Sequence, residues 1–256
     1  MNYLIAVFLG IIEGITEFLP ISSTGHLILA SQFLRLPTDD FLKTFEIAIQ
    51  LGAILSVAAL YGKRFLQNRE IWKKITVAFI PTVVLGVIFY KAMKQMMGAP
   101  SVVIWSLFLG GIAMLIFEKK YRPAEDEIFS IESLPYKKAA ILGACQALAM
   151  IPGVSRSGAT ILGGLALGLK RETIVEFSFL LAAPTMLGAT AYDLYKTGIN
   201  FSANQLGFLS IGFIISFLIA WLSIKCLIKY VQKHDFKIFA IYRIILAVVL
   251  FAIFRK

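Results

Sequence analysis

Residues Glu13 to His26 read Glu-Gly-Ile-Thr-Glu-Phe-Leu-Pro-Ile-Ser-Ser-Thr-Gly-His. They lie inside an apolar stretch, Leu4 to Leu34, that holds no Lys or Arg. Two carboxylates and a histidine are therefore carried to hydrocarbon depth, where each Asp or Glu costs roughly 2.5–3.5 kcal/mol on insertion scales. If 13–18 is helical, Glu13 and Glu17 are one turn apart on one face, and so close a pair calls for a cation or a shared proton. Pro20 and the run Ser22-Ser23-Thr24-Gly25 then break the helix. Irregular backbone at that depth must be buried in protein or line a wet cavity.

The composition fits such a chain. Of 256 residues, 59% are hydrophobic and only 16% are charged, where an ordinary soluble domain has about 25% charged. The expectation is an all-α, polytopic membrane protein. Its net charge of +10 then suggests cytoplasmic loops and anionic headgroups before nucleic acid. No cleaved signal peptide is expected. Cys145 and Cys226 fall in apolar runs and read as small buried hydrophobes.

Along the chain, the broken unit 2–34 is followed by spans at 45–61, 76–92 and 101–117. A second apolar unit, 139–169, is broken at Pro152-Gly153, and spans follow at 174–195, 206–228 and 238–254. Shifting by 133 residues sets Glu13 on Gln146, Ser22 on Ser155 and Gly25 on Gly158. The chain thus reads as a first repeat at 1–117, a cytoplasmic connection at 118–138 and a second repeat at 139–256. The basic segments 63–74, 118–138, 170–171 and 229–237 fall on one side if the broken units enter and return without crossing. Three crossings per half then make the repeats inverted, with two re-entrant units meeting near the midplane, where such folds place their site.

The second unit carries Ser155, Arg156, Ser157 and Thr160 among glycines. Arginine offers a rigid donor fork for phosphate, and hydroxyls with free N–H groups at a helix start complete an anion cradle. Beside the carboxylate pair, this suggests phosphoryl transfer at a lipid headgroup. A transporter of the same lipid is the alternative that an inverted repeat with a midplane site leaves open.

The run from Glu13 to Leu27 closely resembles the first signature of the bacterial undecaprenyl-pyrophosphate phosphatase, or bacitracin-resistance, family. Pro152 to Thr160 resembles its second, and Glu176 to Pro184 is also similar. The resemblance implies hydrolysis of undecaprenyl pyrophosphate to undecaprenyl phosphate and inorganic phosphate, recycling the lipid carrier of peptidoglycan synthesis and giving bacitracin resistance. It implies a divalent cation, Mg²⁺ or Ca²⁺, and a bacterial inner-membrane protein whose site opens outward. It assigns Glu13 and Glu17 as catalytic and metal-binding acids, Ser23 and His26 as catalytic candidates, and Arg156, with Ser155, Ser157 and Thr160, as the pyrophosphate binders. The attacking oxygen is left open among water and Ser23, with His26 as base or nucleophile. The expected partners are the pyrophosphate lipid and membrane lipids, with a homodimer open and no nucleic acid.

Overall fold

The computed structural model describes residues 1–37, 39–96, 99–122, 127–197 and 202–254; the side chains of Tyr90, Lys94, Ala189 and 192–197 are outside the description. The described chain is helical: α1 (Tyr3–Thr16), α2 (Ser23–Phe33), α3 (Asp40–Gln67), α4 (Arg69–Met96), α5 (Pro100–Lys120), α6 (Tyr136–Ala147), α7 (Arg156–Ala166), α8 (Arg171–Thr197), α9 (Ala203–Val231) and α10 (Lys237–Phe254), with a 3₁₀ turn at Leu148–Met150. One isolated parallel bridge, Ile128 to Leu169, is its only extended pairing among the described residues. Each broken pair, α1–α2 and α6–α7, is followed by three long helices.

Among the described residues, α3, residues 69–89 of α4, α5, α9 and α10 are long and apolar enough to cross a membrane. Large side chains such as Leu55, Val87, Leu109 and Ile245 are exposed on them, as a lipid-facing surface requires. The chain is a multi-pass membrane protein. The expected span 174–195 falls in α8, which runs on into the residues whose side chains are undescribed.

The helices run past the apolar windows read from the sequence. The basic segment 63–74, expected as a loop, is helical except at Asn68, where α3 ends and α4 begins. Asn68 makes this tight turn by accepting from the N–H groups of Glu70 and Ile71 through its side chain, satisfying donors a helix start leaves free. The expected connection 118–138 is likewise shortened, because α5 extends to Lys120 and α6 starts at Tyr136; its residues 123–126 lie outside the described set. The stretch between the expected spans 174–195 and 206–228 also falls partly outside it. Cys145 is half-buried, but Cys226 is exposed on α9, contrary to its reading as buried.

Packing relies on close backbone approach. α1 lies on α9: a Cβ on Gly14 would sit 2.8 Å from the Ser216 carbonyl oxygen, and one on Gly10 2.8 Å from that of Gly212. α6 lies on α4 at Gly143, and α5 on α10 at Gly111. Without a hydrophobic drive between helices in lipid, such small-residue contacts let dispersion and polar contacts hold the bundle. α3 packs between α8 and α9, and Phe18 meets Phe179 edge to face at 5.2 Å in the buried centre. Both broken pairs are therefore held against the long helices of the other half of the chain.

Candidate active site

The first break begins at the end of α1. Glu17 keeps helical dihedrals, and its N–H donates to the Glu13 carbonyl at 2.9 Å. Pro20 then prevents continuation. The chain restarts at Ser22, which has φ 70° and caps α2 by accepting from the Gly25 N–H at 3.4 Å. Ser23 and Thr24 belong to the first turn of α2, so the break is shorter than the sequence suggested. The second break repeats this build. After the 3₁₀ turn come Pro152 and Gly153, the latter at φ 92°. Ser155, at φ 75°, then caps α7 by accepting from the Gly158 N–H at 3.2 Å.

The two restarts meet. A cavity of about 170 Å³ is lined by Glu17, Ser22, Ser23 and Thr24 from the first break, and by Ala149, Pro152, Gly153, Ser155 and Arg156 from the second, with Gln50 of α3 and Met186 of α8. Across it, Arg156 Nη2 donates to Glu17 Oε1 at 3.2 Å, and both side chains are largely buried. Glu17 Oε2 accepts from the Ser23 hydroxyl at 2.6 Å. Arg156 Nη1 donates to the Ser178 carbonyl at 3.0 Å, while its Nε is buried without a partner. Ser157 fastens the breaks by donating to the Leu19 carbonyl at 2.8 Å. Two helix N-termini, with their partial positive charge and free N–H groups, thus converge on a pocket holding a guanidinium, which suits an anion.

Glu13 lies one turn before Glu17. It is fully buried, and neither carboxylate oxygen has a hydrogen-bond partner. A bare buried carboxylate is costly; a bound cation or a proton would relieve it. No group of three or more His, Cys, Asp or Glu residues suited to a metal ion is found among the described residues. Glu13 is not among the residues that line the cavity; with Glu17 one turn on, it offers a carboxylate pair of the kind a hard cation takes.

The structure separates some residues that the sequence grouped. Thr160 is buried on α7, donates to the Arg156 carbonyl at 2.9 Å and does not line the cavity. Ser157 is outside the lining as well. His26 turns away: Nδ1 lies 2.8 Å from the Ser22 carbonyl oxygen and Nε2 2.7 Å from the Tyr242 hydroxyl. Glu176 pairs with Arg64 at 2.5 Å and does not line the cavity. Three residues escaped the sequence reading. Gln50 lines the cavity one turn after Glu46 on α3, and Tyr242 and Arg243 of α10 reach the breaks. The signal for Arg243 was present: it is a single charge inside the apolar run 238–254.

A family model described as "Bacitracin resistance protein BacA" matches residues 6–249. A curated relative from Wolinella succinogenes, named undecaprenyl-diphosphatase, is 52% identical over 97% of this chain and 97% of its own length. One from Aquifex aeolicus with the same name is 50% identical at the same coverages, and one from Campylobacter jejuni is 47% identical over 99% of this chain and 95% of its own length.

Proposed function

The chain belongs to the bacitracin resistance protein BacA family, and from that premise we propose that it is an undecaprenyl-diphosphatase. It hydrolyses undecaprenyl pyrophosphate to undecaprenyl phosphate and inorganic phosphate, recycling the carrier for peptidoglycan synthesis and conferring bacitracin tolerance. The observation that carries the reading is the meeting of the two breaks in one cavity, where Arg156 bridges to Glu17 and Glu17 to Ser23.

In this reading the terminal phosphoryl group enters between the first turns of α2 and α7. Arg156 takes the pyrophosphate oxygens in its fork, exchanging its contact with Glu17, and the free N–H groups and Ser155 add donors. Glu17 accepts the proton of the attacking oxygen, which is that of Ser23 or of a water held beside it. The new P–O bond forms in line as the bridging P–O bond breaks, and the electron pair leaves on undecaprenyl phosphate. Were Ser23 the nucleophile, water would cleave its phosphate ester in a second step. Glu13 and Glu17 would hold the divalent cation, Mg²⁺ or Ca²⁺, which when bound neutralises charge on the phosphate oxygens.

The proposed setting is a bacterial inner membrane. Residues 1–117 and 139–256 form inverted repeats joined by 118–138, and the cavity opens outward. The basic segments, the order of one broken pair and three long helices in each half, and the matched serine caps support this arrangement. The test is phosphate release from C55 pyrophosphate by the detergent-purified protein, with and without chelator. Release that chelation abolishes supports the assignment. Absence of release by a folded, metal-supplemented sample excludes it, and leaves carrier-lipid transport as the function to assay.

A further inference from the structure

We infer that Arg243 is a positioning residue for this reaction: its guanidinium registers the two breaks against each other and so sets where the first turns of α2 and α7 meet. The kinetic consequence rests on the function proposed above; the registration rests on geometry alone.

Arg243 is the seventh residue of the 18-residue α10, the most apolar candidate span among the described residues, and it is only 1% exposed. Among the described residues no carboxylate pairs with it. Its partners are three backbone carbonyls: Nη1 donates to Pro20 at 3.4 Å, and Nη2 to Gly153 at 3.1 Å and Ser106 at 3.2 Å. Pro20 lies in the first break and Gly153 in the second, where carbonyls lose the helical donors that would otherwise satisfy them. A leucine would pack in this span at far lower cost than a buried cation without a counter-ion. The guanidinium is therefore retained for what it links: its rigid planar fork holds carbonyls from three segments in one fixed geometry, which a flexible ammonium does not.

The surroundings are built to admit it. A Cβ on Gly110 of α5 would lie 2.9 Å from Arg243 Cζ, and one on Gly158 of α7 3.0 Å from Nη1. Two glycines thus form the slot through which the side chain reaches both breaks. Arg243 is not among the cavity-lining residues, so it acts through the loops it ties and not on the phosphate. The neighbouring Tyr242 holds His26 of α2, which makes one turn of α10 the strut for the first break.

The test compares Arg243→Lys with Gly110→Ala, which crowds the guanidinium from the opposite wall, in the full-length purified protein. Hydrogen exchange is read over 17–24 and 151–157, alongside kcat and KM for C55 pyrophosphate and the unfolding midpoint. Exchange should accelerate in both breaks together, and kcat should fall about 10- to 100-fold, as a misplacement near 1 Å implies. KM should change less than about threefold, since Arg156 and the N–H groups that bind the anion remain. Acceleration confined to α5 and α10, or to one break, overturns the inference, as does an unchanged kcat per folded molecule. If Arg243→Lys fails to fold, Gly110→Ala decides; if both fail, Arg243 is a folding residue and the inference is wrong. Coupled acceleration in a protein whose wild type releases no phosphate upholds the registration and removes the phosphatase assignment instead.

Discussion

Ser22 and Ser155 stand 133 positions apart and do the same work. Each holds a left-handed backbone, at φ 70° and 75°, directly ahead of an 11-residue helix, and each caps that helix by accepting from a glycine N–H three residues on. A non-glycine residue at positive φ is strained by about 1–3 kcal/mol, so both caps must hold their loops firmly. Together they aim the two helix starts that line the cavity.

This pairing predicts a stability order. Replacing either serine by alanine keeps the strain and removes the cap, and should cost roughly 1–2 kcal/mol. Glycine relaxes the backbone while losing the same cap, and should cost less. The loss should be larger at Ser155, whose hydroxyl also lies 3.2 Å from that of Ser157. Unfolding midpoints in one detergent check the order; alanine variants as stable as wild type would show that the caps do not hold the breaks.

The two acids should respond in opposite directions. Glu17 pairs with Arg156 and accepts from Ser23, so Glu17→Gln leaves a buried guanidinium without its counter-ion. It should lower both turnover, by about 10³-fold or more, and stability. Glu13 has no hydrogen-bond partner for either oxygen, so Glu13→Gln removes a buried carboxylate that makes no hydrogen bond in the protein. Its unfolding midpoint should hold or rise without added metal, while the divalent concentration for half-maximal turnover rises about tenfold or more. A fall in stability as large as that of Glu17→Gln would contradict the bare-carboxylate reading of Glu13.

How much of this could be read beforehand follows from where the signals lie. Glu13, Glu17, Arg156 and the two breaks stand out because charge, Pro and Ser runs are rare in apolar segments, and a single sequence shows that contrast directly. Helix ends did not: Lys63 to Lys74 looks like a loop by composition, but solvated helix ends carry basic residues equally well, and only Asn68 interrupts them. The direction of a side chain is also hidden in a local pattern. His26 and Thr160 belong to the same motifs as Ser23 and Arg156, yet a few residues of helical rotation take them out of the cavity lining. Gln50 and Arg243 needed tertiary contacts to acquire meaning, because their partners lie far away in sequence.

His26 offers a test of its own. A carbonyl can only accept, so the contact with Ser22 places a proton on Nδ1, and neutral His26 receives the Tyr242 hydroxyl at Nε2. Tyr242→Phe and His26→Gln should each destabilise by about 1 kcal/mol, and the double variant by little more than either. A double-mutant cycle on unfolding free energy measures the coupling. Additive losses would show that the two side chains act independently.

The proposed layout places Gln67 and Gln232, both exposed near helix ends, on the inner side. In a background lacking Cys145 and Cys226, single cysteines at these positions should resist a membrane-impermeant maleimide in intact cells and react after permeabilisation. Labelling of either in intact cells would rule out the arrangement of basic segments on one side.

Arg156→Lys should fail nearly as badly as Arg156→Ala, with the defect at the pyrophosphate and not at the prenyl tail. Arg156 is the first residue of α7, where the helix start already favours an anion. Its fork contacts Glu17 on one side and the Ser178 carbonyl on the other, and its Nε remains unpartnered. A lysine ammonium keeps the charge but cannot serve two oxygens in a plane while bracing on Ser178. Truncating a buried charge partner costs about 2–5 kcal/mol in comparable sites, which corresponds to tens- to thousands-fold in kcat/KM. The measurement is kcat and KM for C55 pyrophosphate, beside inhibition by inorganic pyrophosphate and by undecaprenol, for wild type and both variants. Inhibition by inorganic pyrophosphate should weaken in step with kcat/KM while inhibition by undecaprenol holds. A variant that loses folded yield but keeps its specific activity would make Arg156 only the structural partner of Glu17. Near-normal kinetics for lysine alone would mean that charge, without the fork, is enough at this position.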